Sequence, residues 1–185
     1  TEEDLLASCR RAFAGGYGAV KLYFMLGLPT ETDEDVLGIA DIAANVMHAW
    51  RESAVNKSRG VRITVSTSWF VPKPHTAFQW EPQIPIEEYE RRVRLLRERI
   101  NTKSVTYNWH PSPTSFMEAV ISCGDRRLGR VIETAWRKGE TLSAWEDYFR
   151  LERWMEAFAE CGLDPHFYAN RRRSEDELLP WSMIS

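Results

Sequence analysis

The sequence predicts an α/β protein in which parallel strands with crossover helices are followed by a mostly helical C-terminal extension. Strand and helix patterns alternate in the first part of the chain, which is typical of a parallel sheet. Helical periodicity dominates after Pro85. A length of 185 residues fits one medium domain, or a partial domain with an appendage. We therefore predict two regions, residues 1–84 and residues 85–185.

The first region is predicted to run helix, strand, helix, strand. The apolar residues of Glu2–Phe13 share one helical face, and two glycines follow them. The nearly continuous apolar run Ala19–Leu26 is typical of a strand that is buried on both faces of a parallel sheet. A helix starts near Thr32, and Val61–Thr67 then alternates with the period of a second strand. Right-handed crossovers of a parallel sheet produce this order.

The second region follows a long, proline-rich loop and is predicted to be mainly helical. Trp69–Pro85 holds four prolines and no helical period, which indicates a long loop. A long helix follows Pro85, and Ser104–Trp109 is predicted to be a short strand. The charged tail from Asp164 onward is expected to form an extended strap. Further helices are predicted over Thr114–Cys123, Arg126–Lys138 and Ser143–Cys161.

The composition excludes several classes of protein. A net charge of −3 gives no reason to expect nucleic acid or an anionic membrane as a partner. No apolar run approaches the roughly 20 residues that a membrane helix needs. The three cysteines Cys9, Cys123 and Cys161 lie far apart, which predicts neither a disulfide framework nor a metal site and favours the cytoplasm. The chain begins with Thr inside a predicted helix, which suggests a fragment.

The turn after the first strand is the first candidate site. It consists of Gly27, Leu28, Pro29, Thr30 and Glu31 and leads directly into a helix. Ligands bind at such edges because strand ends and helix N-termini offer free amide groups. A plain strand-to-helix turn with a capping acid explains the same spacing equally well.

The loop after the second strand would border the same edge. Within Phe70–Trp80, the aromatic Phe70, the cation Lys73, the imidazole of His75 and the hydroxyl of Thr76 form a mixture that suits a substrate or cofactor wall. The alternative is a loop that straps aromatic side chains onto the rim of the sheet. For the histidine alone a structural role is favoured.

Five stretches in order resemble radical S-adenosylmethionine (radical SAM) enzymes. Val20–Thr32 resembles their fifth strand and the turn after it, and Val65–Thr76 resembles their sixth strand and its loop. The later stretches are similar to one subgroup, the large bacterial Fe-S oxidoreductases of unassigned substrate that carry a cobalamin-binding-type domain ahead of the radical domain. These stretches are Gly124–Arg127, Gly162–Tyr168 and Leu178–Trp181.

The resemblance implies a partial TIM-type barrel, of which this chain supplies the last parallel strands and a helical extension. The intact enzyme would cleave S-adenosylmethionine reductively to a 5′-deoxyadenosyl radical, using a [4Fe-4S] cluster held by a CxxxCxxC loop. That motif is absent from this sequence. The chain is therefore expected to be an inactive piece, with no catalytic residue or metal ligand of its own and with the cluster ligands upstream. The subgroup also makes cobalamin a candidate cofactor.

The resemblance also implies which residues bind. The Gly27–Glu31 turn would contact S-adenosylmethionine through backbone groups and an acid, and Thr64 and Ser66 on the next strand would line the adenosyl side. The substrate-side residues would be Phe70, Lys73, His75 and Thr76.

Two other functions are weighed against the enzyme. The chain is alternatively a non-catalytic binding or assembly module, whose helices after Pro85 present an aromatic surface to a protein partner. A nucleic-acid-binding domain is disfavoured, because no basic and aromatic stripe is present. The expected partners are the upstream part of the same polypeptide and a small-molecule cofactor. An open sheet edge, where barrel strands are missing, further predicts a dimer through the first strand.

Overall fold

The computed structural model describes residues 1–184, which form a mixed α/β fold with a three-stranded parallel sheet. This result confirms the predicted α/β class. None of the helices in the described residues combines the length and the apolar character that crossing a bilayer requires. The elements are α1 (Glu2–Ala14), β1 (Ala19–Leu26), α2 (Asp33–Ser53), β2 (Arg62–Trp69), α3 (Ile86–Arg99), β3 (Val105–Trp109), α4 (Ser112–Ser122), α5 (Leu128–Arg137), α6 (Leu151–Glu160) and α7 (Pro165–Ala169).

The chain divides into two compact units, and each is described by itself. The sheet unit consists of Thr1–Ser68 together with Tyr89–His110. The helical unit consists of Trp69–Glu88 together with the residues from Pro111 onward. These units interleave along the chain, and the division at residue 84 stays a prediction.

In the sheet unit, the strands lie in the order β1-β2-β3. β2 and β3 pair in parallel, with Ile63 beside Val105 and Thr67 beside Trp109. At the start of the other pair, the Arg62 amide N donates to the carbonyl O of Gly18 at 2.9 Å. Since α2 connects β1 to β2 and α3 connects β2 to β3, every strand connection includes a helix, as a parallel sheet requires.

Helices α1 and α2 begin where side chains satisfy their first free amides. In α2, Thr32 accepts a hydrogen bond from the Asp35 amide, and the Asp35 carboxylate accepts one from the Thr32 amide. This reciprocal capping box is a strong helix start, and Thr1 and Asp4 form the same arrangement at α1. The buried stripe of α2 is Val36, Ile39, Ala40, Ala43, Val46 and Ala49. Met47 and Trp50, near the end of the same helix, are half-buried.

The prediction that β1 is buried on both faces is wrong for this chain. Leu22 and Leu26 are buried on the side where α2 packs. Side chains alternate along a strand, so the residues between them point to the opposite face. There, Tyr23 is 72% exposed, and Met25 is also exposed. The sheet unit therefore covers only one face of its edge strand.

In the helical unit, α5 packs against α6 and α4 packs against α7. A buried amide secures the loop after β2: Gln83 Nε2 donates to the carbonyl oxygens of Phe70 at 3.1 Å and Ser115 at 3.2 Å. β2 ends at Trp69, and no helix lies between it and Pro85, in agreement with the predicted long loop.

The predicted helix over Ser143–Cys161 is too long, because α6 begins only at Leu151. The buried carboxylate of Glu140 explains the difference. Its Oε1 accepts from the Ser143 hydroxyl at 2.9 Å and from the Arg150 amide N at 3.2 Å. These bonds tie both ends of the intervening segment to one oxygen, and Leu142 adopts a left-handed φ of 57°. The segment therefore forms turns rather than a helix.

The tail is only partly the extended strap that the sequence predicts. Asp164 caps the short helix α7, and further turns follow it. Leu179 and Trp181 then return to a small core with Cys123, against which Trp80 packs. The Trp181 indole N–H donates to Gln79 Oε1 at 2.7 Å, which fastens the end of the tail to the loop after β2.

Candidate functional site

The predicted Gly27–Glu31 turn lies in the sheet unit, between the end of β1 and the start of α2. Gly27 has a φ of 87° and Thr30 a φ of 65°. Both values lie in the left-handed region, which glycine adopts at little cost and threonine rarely adopts. Two positive φ angles within four residues make this a sharply folded turn.

The turn is held by the carboxylate of Glu31. Its Oε2 accepts a hydrogen bond from the Gly27 amide N at 2.8 Å. The same oxygen accepts from Arg92 Nη1, and Arg92 Nη2 donates to the Glu31 carbonyl O at 3.3 Å. The side chains of Glu31 and Arg92 are 7% and 11% exposed, so this ion pair is largely removed from water. The acid is thus engaged by its own turn and by α3.

Sequence reasoning missed Arg92. A signal for it exists, because Arg92 lies three residues after Tyr89 and four before Leu96, both of which are buried on α3. A charged residue on the buried stripe of a helix indicates a partner on the neighbouring element. The identity of that partner depends on the tertiary fold, since Glu31 lies 61 positions away.

The open face of the sheet is polar. We call it the polar sheet face. Because β2 and β3 pair with Thr64 beside Thr106 and Ser66 beside Asn108, these four side chains share one face. The β1–β2 bond from Arg62 to Gly18 places the alternate residues of β1 on the same side. The polar sheet face therefore includes Lys21, Tyr23, Met25, Thr64, Ser66, Thr106 and Asn108.

The structure brings the predicted residues Thr64 and Ser66 onto this face. Thr64 is partly exposed and Ser66 is at the edge of burial. Beside them, Lys21 Nζ lies 4.7 Å from the centre of the Tyr23 ring, which is a cation–π contact. Lys21 and Tyr23 were not among the predicted site residues, although alternation along β1 would have placed them together. A cation, an aromatic ring and two hydroxyls can contact a polar ligand.

On the opposite face, Tyr107 of β3 forms a partly buried hydrogen-bonded pair with Thr67. The hydroxyls of Thr67 and Tyr107 lie 2.8 Å apart. Burial raises the pKa of Tyr107 to about 12, and the bond to Thr67 offsets only part of this effect. Burial also raises the pKa of Tyr89, whose hydroxyl donates to the His110 carbonyl O at 3.0 Å. Both phenols stay neutral at physiological pH.

The four predicted substrate-side residues all lie in the helical unit. Phe70 is buried and makes an edge-to-face contact with Phe78 at 5.8 Å between ring centres. Lys73 Nζ donates to Glu118 Oε1 at 2.5 Å and to Ser122 Oγ at 3.2 Å, both on α4. These two side chains therefore join the loop to the rest of the helical unit.

His75 and Thr76 lie in a tight turn of the same loop. His75 has a φ of 58°, and its side chain is exposed. Its amide N donates to Gln79 Oε1 at 3.2 Å, and the Thr76 hydroxyl donates to the Lys73 carbonyl O at 2.8 Å. The turn leaves the imidazole accessible to a ligand. The substrate-side role of all four residues stays a prediction.

The described residues contain no group of three or more His, Cys, Asp or Glu side chains that could hold a metal ion. Cys9 and Cys123 are buried, and Cys161 is partly buried. A three-thiolate cluster site does not fit these residues. The polar sheet face, by contrast, fits the polar groups of a nucleoside and an amino acid, because it offers hydroxyls, an ammonium group and an aromatic ring.

The chain is similar to a protein whose function is unassigned. The chain is 22% identical over 166 residues to an uncharacterized protein of Methanocaldococcus jannaschii, an alignment that covers 88% of this chain and 34% of that protein. The chain thus spans about a third of the length of the curated relative it matches. It matches no protein-family profile and no solved structure.

Proposed function

We propose that this chain is the cofactor-edge portion of a radical SAM enzyme and that it supplies the last strands of a partial TIM-type barrel. The observation that carries the proposal is the polar sheet face. Parallel sheets are normally covered on both faces, yet here one face is apolar and packed by α2 while the other is polar and open. In a barrel that encloses a ligand, strand residues likewise alternate between an inward and an outward face.

The turn at the end of β1 supports the same proposal. Ligands of parallel α/β proteins bind beyond the carboxyl ends of the strands, and Gly27–Glu31 lies there. In our proposal, Glu31 does not contact the ligand itself. Its bonds to Gly27 and Arg92 fix the backbone of the turn, so that backbone groups contact S-adenosylmethionine.

On the polar sheet face, we assign roles by chemistry. The Lys21 ammonium would pair with a carboxylate, and the hydroxyls of Thr64 and Ser66 would bond to ribose or adenine atoms. When S-adenosylmethionine and a [4Fe-4S] cluster are bound, they supply radical chemistry. The cluster ligands would come from a part of the polypeptide outside this chain, because the described residues hold no thiolate set that fits it.

Equilibrium dialysis with labelled S-adenosylmethionine tests this assignment. The experiment uses a longer polypeptide in which a CxxxCxxC loop precedes these residues. This polypeptide is reconstituted anaerobically with iron and sulfide. Lys21→Met is expected to weaken binding at least tenfold, because the carboxylate of S-adenosylmethionine loses the ammonium group that pairs with it. Lys57→Met removes the same charge from an exposed loop and should leave binding unchanged. Equal affinities of the two variants would contradict the assignment.

A second candidate function is an assembly module, and exposed aromatic side chains of the helical unit favour it. Trp136 is 63% exposed and Trp145 is 66% exposed, and Tyr148 is also exposed. Exposed Trp and Tyr are typical of protein interfaces. The upstream reading frame decides between the two functions: a polypeptide without CxxxCxxC leaves the assembly module as the better account.

A further inference from the structure

A buried guanidinium without a carboxylate partner lies in the helical unit. Arg173 is 4% exposed, and its Nη2 donates to the Tyr168 carbonyl O. Its Nη1 has no hydrogen-bond partner among residues 1–184. Within the same residues no ion pair includes it, although its neighbours form such pairs. Because a buried charge is costly unless it is paired, Arg173 requires a counter-ion.

Two neighbours interact with the Arg173 charge without bonding to Nη1. Glu177 acts on it through space, and the Arg173 guanidinium carbon lies 6.0 Å from the centre of the Trp181 ring. Neither places an anionic oxygen at Nη1. Glu177 already pairs with Arg171, and Glu81 pairs with Arg172 at 3.2 Å. The thiol of Cys123 lies close to Arg173, but burial raises its pKa, an effect that Arg173 and Lys73 only partly offset. The thiol therefore stays protonated and neutral at physiological pH.

A second unpaired donor lies in the same place. The indole Nε1 of Trp80 is buried and has no acceptor in the described part of the chain. Trp80 and Arg173 both line a cavity of about 460 Å³. Arg172, Ser174 and Glu175 also line it, and their side chains are exposed and therefore able to move. Two unsatisfied donors, one of them cationic, beside one cavity indicate an acceptor that comes from outside the chain.

We propose that this cavity is an oxyanion site, in which one oxygen of a phosphate group or a carboxylate accepts hydrogen bonds from Arg173 Nη1 and Trp80 Nε1. Both donor atoms are shielded from solvent. The exposed side chains at the rim therefore move aside when the ligand enters. The carboxylates of Glu81 and Glu175 at the cavity repel anions, and they disfavour a polyanion more than a small anion of low charge. The site lies wholly within the helical unit and does not depend on the proposed radical chemistry.

Two-dimensional ¹H–¹⁵N NMR of the chain labelled with ¹⁵N-tryptophan tests the site directly. Each of the eight tryptophans gives one indole signal, and the signal that disappears in Trp80→Phe belongs to Trp80. Sodium phosphate is added at pH 7, and sodium chloride keeps the ionic strength constant. We expect the Trp80 signal to shift as phosphate is added and the shift to reach a plateau. The exposed Trp145 indole serves as the internal control and should not respond.

A parallel titration with sodium acetate identifies the ligand class. Saturation by phosphate alone assigns a phosphate-type ligand, and saturation by acetate assigns a carboxylate-type ligand. If neither anion moves the Trp80 signal more than chloride does, the proposal is overturned.

Variants separate the site from general charge effects. Arg173→Met should weaken anion binding at least tenfold, whereas Arg130→Met removes an equal charge from exposed α5 and should change it less than twofold. If Arg173→Met does not fold, Trp80→Phe provides the measurement through the rise in melting temperature with phosphate. That rise should fall by at least half in Trp80→Phe, and an unchanged rise would overturn the proposal.

Discussion

Glu31 and Arg92 form a largely buried ion pair that ties the turn after β1 to the middle of α3. The carboxylate also accepts from the Gly27 amide N, so one side chain holds the backbone of the turn and the neighbouring helix together. The backbone that we propose as the cofactor edge is therefore shaped by a contact between residues 61 positions apart.

Removal of Arg92 should strongly destabilise the fold. Arg92→Met leaves the Glu31 carboxylate buried without its cation, which typically costs about 3–5 kcal/mol. Arg91→Met is the matched control, because Arg91 pairs with Asp33 at the surface, where such a pair contributes about 0–1 kcal/mol. Urea unfolding followed by circular dichroism measures both. Similar losses in the two variants would show that the pair with Glu31 has no special role.

Two glycines on either side of the start of α2 should respond in opposite directions to alanine. Gly27 needs its positive φ of 87°, so Gly27→Ala should cost about 1–2 kcal/mol. Gly38 lies inside α2 with open space beyond it, so Gly38→Ala should stabilise the helix by up to about 1 kcal/mol. Thermal unfolding of both variants checks the signs. A stabilising Gly27→Ala would mean that the turn is not held in this conformation.

The partly buried phenol of Tyr107 should make stability fall at alkaline pH. Its folded pKa is raised to about 12, above the ordinary value of about 10. The unfolded chain therefore loses this proton first, and stability that is fully present below pH 10 is lost as pH rises toward 12. For two pH units the loss is about 3 kcal/mol.

Denaturant unfolding at several pH values measures this slope. Tyr107→Phe should reduce this slope by up to one proton. Tyr89 contributes in the same direction, so some slope remains in the variant. An unchanged slope in Tyr107→Phe would contradict the assignment.

The chain by itself is expected to associate through β1. β1 is an edge strand with an open face, and open edges pair with other chains. Sedimentation velocity should show dimers that increase with concentration. Tyr23→Lys places a charge on this edge and should shift the chain to monomer, whereas Tyr17→Lys, outside the strand, should not. Monomers at every concentration in the unaltered chain would rule out this association.

Much of the fold follows from local sequence signals. The apolar run of β1 and the alternation in β2 predict both strands within two residues of their ends, and the Thr32 capping box fixes the start of α2. Such signals are reliable because they depend on neighbours in the chain. The open face of β1 was not predicted, since an apolar run does not reveal whether a second layer is present.

The remaining differences arise from long-range bonds. Ser143–Arg150 has helical composition, yet the buried carboxylate of Glu140 folds it into turns. Arg92 was overlooked because its partner comes from another element, although its position on a buried stripe was visible. The loop residues Phe70 and Lys73 were predicted as ligand contacts from their chemistry, and their observed partners lie within the helical unit.

The most direct test of the central claim is an anaerobic assay for 5′-deoxyadenosine. A longer polypeptide with a CxxxCxxC loop ahead of these residues is reconstituted with iron and sulfide and supplied with S-adenosylmethionine and a strong reductant. Our account predicts 5′-deoxyadenosine from this protein and at least a tenfold loss in a Thr64→Val, Ser66→Ala double variant that still folds. A polypeptide that binds no cluster and forms no product, or a double variant with full activity, would contradict the account.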